Sequence, residues 1–209
     1  MLPRMDSFKE AVFTRRMVAF NESFVPICTK QKAKPLAVLW HEAISGRKKD
    51  ILNACYSFFY HFRDVKHIFI WLDNFSAQNI NWTLFTFLVH LVNHYPQISV
   101  DTIDIFYFEP GHTFMAVDSF HHQVELAMKH SGKVYDFQDF VQCVQQANSG
   151  KVGTKELDVR DLFAWKDYTL KQKLKLRGDN VPYLTDVVKV TAKRGNTSLL
   201  YSTKYKESS

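Results

Sequence analysis

The chain has 209 residues, 46% of them hydrophobic and 15% aromatic with eighteen Phe, and a formal net charge of +6. That length and apolar content suit one packed domain, or one domain plus a tail, and exclude a disordered or low-complexity protein. The moderate basic excess permits nucleic-acid binding without establishing it.

Residues 11–27 have β character and read as one strand, or as two joined by a turn at Asn21-Glu22-Ser23. A basic loop over 30–35 precedes a strand over 35–40 that runs into His41 and Glu42. A turn at Ser45-Gly46-Arg47 leads to a helix over 48–62, where Ile51, Leu52, Cys55, Phe58, Phe59 and Phe62 recur at helical spacing. The apolar run 68–72 reads as a buried strand closed by Asp73, then a polar loop with Gln78 and Asn79, then a helix over 82–93. Tyr95-Pro96 breaks that helix, and 103–108 forms a further strand closed by Pro110-Gly111. After the loop containing His112, Asp118 is placed as the N-cap of a helix running to about 129. Another amphipathic helix spans 136–146 and ends near Asn148-Ser149-Gly150. Beyond Gly150 the pattern weakens: 158–165 is mixed, Lys166, Lys171, Lys173, Lys175 and Arg177 form a basic run, and short β-like segments fall around 187–192 and 198–202. The order strand, strand, helix, strand, helix, strand, helix predicts an α/β layer fold. It gives a core over 1–165 and a basic C-terminal extension over 166–209.

Cys28, Cys55 and Cys143 are widely spaced and include no CxxC pair, so the expectation is reduced thiols in an intracellular protein. The first residues hold no apolar signal core, and no run approaches the ~18 apolar residues of a membrane span.

Asp73 carries the sharpest chemical hint, because open α/β sheets place their ligands at the carboxyl ends of strands. Asp118, His121, His122 and Glu125 lie at i, i+3, i+4 and i+7 and so share one helical face. Hard divalent ions take a few carboxylates and leave positions for substrate oxygens, and two such ions stabilise in-line phosphoryl displacement. Each residue also has a bland reading. Asp73 and Asp118 can be caps, Glu125 a solvated helix face, Glu42 a turn carboxylate beside Arg47, and Gln78 and Asn79 residues that order their loop. Other chemistries lack their motifs: there is no GxGxxG, GxxxxGK[ST], GxSxG or HExxH.

Three segments in order are Trp40-His-Glu-Ala-Ile-Ser-Gly-Arg47, Leu72-Asp-Asn-Phe-Ser-Ala-Gln-Asn-Ile-Asn81, and Gly111-His-Thr-Phe-Met-Ala-Val-Asp118 continuing to Glu125. They resemble a domain family of unknown function found in transposon-derived animal proteins. That family shows W-D-E-x-x-x-x-R-G, D-x-C-x-x-Q-N-K-N and G-H-T-x-M-x-x-D segments, and its members resemble DDE transposase cores of the RNase H-like fold. The resemblance covers roughly 2–165. It implies a mixed sheet flanked by helices and a Mg²⁺- or Mn²⁺-dependent polynucleotidyl-transfer centre. Asp73 and Asp118 fall on the metal-ligand positions, with Glu125 and His112 as further catalytic candidates. His41 stands where the family has Asp or Asn, Ser76 and Ala77 replace a Gly-rich pair, and Lys48 replaces a Gly.

The resemblance also implies a first strand carrying a first catalytic Asp ahead of a Leu-Pro segment. Leu2-Pro3 opens this chain, and Asp6 follows it with no strand before it. The expectation is therefore a transposase-derived, RNase H-like domain lacking the first strand, inactive alone and nuclear. It would bind DNA through Lys171, Lys173, Lys175, Arg177, Gln78 and Asn79. The alternatives are an active Mg²⁺-dependent nuclease or transposase core, and a non-enzymatic protein-interaction module.

Overall fold

A computed structural model describes residues 17–27, 33–45, 47–73, 79–109, 115–171 and 183–205, with 47–50, 166, 169 and 170 in backbone only. In chain order the strands are β1 (Ala19–Phe24), β2 (Leu36–His41), β3 (His67–Leu72), β4 (Thr102–Tyr107), β5 (Gly153–Glu156), β6 (Lys189–Lys193) and β7 (Leu200–Ser202). The helices are α1 (Arg47–His61), α2 (Trp82–His94), α3 (Ala116–Ser131), α4 (Phe137–Gly150) and α5 (Trp165–Lys171). The protein is of the α/β class, and its strands divide between two mixed sheets where the sequence predicts one. It splits into two compact units, Met1–Phe58 with Phe114–Phe163 and Phe59–Thr113 with Ala164–Ser209. The stretch read as a C-terminal extension supplies α5, β6 and β7 to the second unit.

In the first unit the sheet order is β1-β2-β5, antiparallel then parallel. β2 is buried from Leu36 to Trp40 because strands flank it on both sides and both of its faces are covered, which is why it reads as an unbroken apolar run. β1 continues straight through Asn21, Glu22 and Ser23, paired with Leu39, Val38 and Ala37. The polar trio suits a turn, and regular ladder pairing along β2 holds it extended instead. Ala37 and Leu39 join Phe120 and Val124 of α3 and Val141 and Val144 of α4 in one core. The start of α4 is fixed by a reciprocal cap. The Asp139 backbone N–H donates to Asp136 Oδ1 at 2.9 Å, and the Tyr135 N–H donates to Asp139 Oδ2 at 2.8 Å. Its regular turns stop at Ala147, after which Asn148 and Ser149 adopt left-handed φ values of 50° and 56°.

In the second unit the order is β3-β4-β6-β7. β3 and β4 are parallel and joined through α2, a βαβ crossover. β6 is antiparallel to β4 and to β7. One face of this sheet (Ile68, Ile103, Ile105, Tyr107, Val190, Ala192) is buried, and α2 packs against β6 with Phe85, Phe87, Leu88, Leu91 and Val92 inside. Asn81 caps α2, its Oδ1 accepting from the Leu84 N–H at 2.9 Å. The turn after β6 is tied down twice. Arg194 Nε donates to Asp101 Oδ1 at 3.1 Å, and the Gly195 N–H donates to Asn93 Oδ1 at 2.7 Å. Gly195 sits at φ 79°, a conformation that costs a side-chain-bearing residue strain.

β3 corrects its sequence reading. The run 68–72 is not buried on both faces: Phe69 is 59% and Trp71 38% exposed. Their neighbours Ile68 and Ile70 point the other way, by the two-residue period of a strand.

Phe87 is fully buried between Phe59, at a ring-centroid distance of 6.4 Å, and Trp165 at 4.8 Å. Phe87→Ala is expected to lower the unfolding free energy by about 3–5 kcal/mol, read by chemical denaturation, through reduced burial and the cavity left behind.

Candidate functional site

Asp73 follows the last residue of β3, partly buried, as the sequence predicts. Its surroundings are local. Asn79 Nδ2 donates to Asp73 Oδ1 in a short bond, and also to the Asp73 carbonyl at 3.4 Å. The Asn79 carbonyl in turn accepts from the Tyr107 hydroxyl at 2.8 Å. Tyr107 is fully buried at the end of β4, and burial pushes the pKa of its phenol up, so it stays a neutral donor. The carboxylate therefore closes the loop between β3 and α2, and Asn79, a candidate nucleic-acid contact, spends its amide on Asp73. Gln78 and His112 lie outside the described residues.

Asp118 is in the first unit. It is not the N-cap of α3 but sits one turn in, and its Oδ2 accepts from the Met115 N–H at 2.7 Å. That bond satisfies one of the orphan amides of the helix start, and the negative charge suits the positive end of the helix dipole. The face shared by Asp118, His121, His122 and Glu125 is exposed, while Phe120 and Val124 turn inward. His122 Nδ1 and Glu125 Oε2 stand 3.9 Å apart at the surface, a geometry worth at most a few tenths of a kcal/mol. Glu42 Oε1 accepts from the Val18 N–H at 3.4 Å and closes the end of the β1–β2 ladder. Beside it the His41 ring meets the Phe137 ring edge-on at 4.9 Å, with Nδ1 buried and without a hydrogen-bond partner among the described residues.

The candidate carboxylates are thus divided: Asp73 belongs to one unit, Asp118, Glu125 and Glu42 to the other. Among the described residues no three His, Cys, Asp or Glu side chains gather into a group able to hold a metal ion.

Of the basic run, Lys171 is exposed at the end of α5, and Lys173, Lys175 and Arg177 lie outside the described residues. α5 is anchored on α2 by aromatic packing. The Tyr168 hydroxyl lies 2.9 Å from His90 Nδ1, their ring centroids are 4.1 Å apart, and His94 stacks on His90 at 4.5 Å.

One cluster carried no motif. Asp104, in the middle of β4, is only 4% exposed. His67 Nε2 lies 2.6 Å from its Oδ2, Lys189 Nζ lies 2.9 Å from its Oδ1, and the Thr191 hydroxyl donates to Oδ1 in a short bond. Burial by itself raises the carboxyl pKa. The hydrogen bonds from Thr191, Lys189 and His67, together with the Lys189 charge, outweigh it and hold the group below its ordinary value. The signal in the sequence is a lone acid inside the apolar strand 103–107, opposite β-like segments that are distant in the chain.

No protein-family model, no curated protein and no solved structure matches the chain. Among the described residues no helix is long and apolar enough to cross a membrane.

Burial, and then the neighbouring His94, pull the His90 pKa from 6.5 down to about 4. The unfolded chain takes up this proton as pH falls below 6.5, and the folded chain does so only near 4. Stability from the neutral His90 is present above 6.5 and is lost progressively between 6.5 and about 4. His90→Gln is expected to flatten that segment of the profile, measured as thermal midpoint against pH.

Proposed function

We propose that this chain is a transposase-derived, RNase H-like domain that binds DNA and performs no phosphodiester chemistry by itself. The observation that carries the proposal is the position of Asp73. It follows β3, which is parallel to β4 through the α2 crossover, the carboxyl-end location where open α/β sheets place their chemistry. Two further observations support it. The antiparallel β1–β2 pair precedes α1, β3, α2 and β4 in the expected order. Asp118 lies in the first turn of the helix that follows β4.

Binding is proposed over catalysis because both carboxylates have a local structural role. Asp73 is held by Asn79 and Asp118 by the Met115 amide. DNA is favoured as the partner by the net charge of +6 and by the exposed Lys171 at the head of the basic run.

Two measurements test this. Incubation with labelled DNA and Mg²⁺ or Mn²⁺ is expected to give no cleavage; cleavage abolished by Asp73→Ala would establish an active centre instead. Duplex-DNA affinity is expected to fall with salt. Replacing Lys171, Lys173 and Lys175 by Gln should weaken it and reduce the log–log salt slope by roughly 1 for each phosphate no longer neutralised. A salt-independent affinity would remove DNA as the partner.

A further inference from the structure

The sheet of the second unit is buried on one face and open on the other. The open face carries Phe69 and Trp71 from β3, Asp104 and Phe106 from β4, and Lys189, Thr191 and Lys193 from β6, as the register dictates. Its rings form a continuous row. Phe69 lies 6.3 Å from Phe106, Trp71 stacks on Phe106 at 4.8 Å, and Phe108, just past β4, lies 5.1 Å from Trp71. Lys189 Nζ stands 4.8 Å from the centre of the Phe106 ring. Exposed large rings in a contiguous row mark a surface with a ligand, since scattered single exposures need no explanation but a patch does.

The charge on this face selects the class of ligand. Its only carboxylate within the strands, Asp104, is buried and held by three partners. Among the described strand residues of this face, the lysines that reach solvent are Lys189, whose ammonium is shared with Asp104, and the exposed Lys193. Exposed rings with lysines beside them, on a face whose one strand carboxylate is buried, are the parts of a stacking platform for unpaired bases, where every base offers a π face and the backbone is anionic. A duplex keeps its base faces stacked inside and cannot use such a row.

We propose that this open face binds single-stranded nucleic acid, with bases stacking on Phe69 and Trp71 and the phosphate backbone running past Lys189 and Lys193. The proposal deepens the nucleic-acid binding put forward above and rests on it.

The test is fluorescence anisotropy of the full chain with labelled oligo(dT) and, separately, with a DNA duplex. Phe69→Ala and Trp71→Ala are each expected to weaken oligo(dT) binding about 5- to 150-fold, the worth of one stacked base. Both should leave duplex affinity unchanged, and Lys193→Gln should weaken oligo(dT) binding and lower its salt slope. Phe69→Leu and Trp71→Leu keep apolar area without a ring and are expected to bind as poorly as the Ala variants. They also carry the test if an Ala variant loses its circular dichroism spectrum. Unchanged oligo(dT) affinity in the ring variants, with duplex binding intact, would overturn this site and leave the DNA-binding proposal standing. Leu variants with full affinity would overturn stacking. A concentration-dependent dimer in sedimentation that the ring variants abolish would make the face a protein interface and overturn the proposal. Binding of neither probe would overturn both readings together.

Discussion

A carboxylate in the middle of a sheet must find partners or give up its charge, and Asp104 finds them on both neighbouring strands. Thr191 lies directly across the β4–β6 ladder, while Lys189 and His67 reach it from diagonal positions on β6 and β3. Removing one partner of a buried ion pair is far more costly than the pair is worth as an increment, because the remaining charge is stranded. The cluster therefore acts chiefly on register. A slip of one residue on either neighbour would send its side chains to the opposite face, cost Asp104 its partners on that strand, and bring Val190 or Ile68 into solvent. The apolar face on α2 and the ring row on the open face both inherit their alignment from this arrangement.

The elements with local causes were legible in the sequence. α2 has a long apolar run and a capping Asn81, and α4 has its Asp136–Asp139 start, so their existence and ends follow from spacing and caps alone. The placement of Asp73 at a strand end was equally legible, since an apolar run stopping at an acid is a local pattern. What was not legible depended on partners far along the chain. β5 is four residues of Gly, Thr, Lys and Glu and becomes a strand only because β2 lies alongside it. The region after residue 165 reads as a tail because β6 and β7 are short, and only pairing with β4 makes them part of the sheet. The run 68–72 looks uniformly buried because Phe and Trp score as core residues wherever they stand; only the sheet shows that alternate members face outward.

The two acids singled out for chemistry illustrate how one residue type serves two ends. Asp73 closes a loop and Asp118 secures a helix start, each by one hydrogen bond to a near neighbour. Either role is sufficient reason for an Asp at that position. The features that favour contact with nucleic acid are instead distributed: an exposed lysine on a helix fixed by Trp165 and Tyr168, and a face where the only strand acid is hidden.

The late position of β6 has a consequence for how the chain is made. β4 emerges from the ribosome with β3 already beside it, but the strand that covers its other edge, and two of the three partners of Asp104, are encoded only at 189–193. During synthesis of everything between, the second unit carries an open edge and an acid short of two of its partners, while the intervening residues of the first unit are being made. Vectorial folding of this protein is thus interrupted. Its second unit waits on its last strands, and the interval in which an exposed β4 edge can pair with another chain lasts as long as translation takes to reach β6.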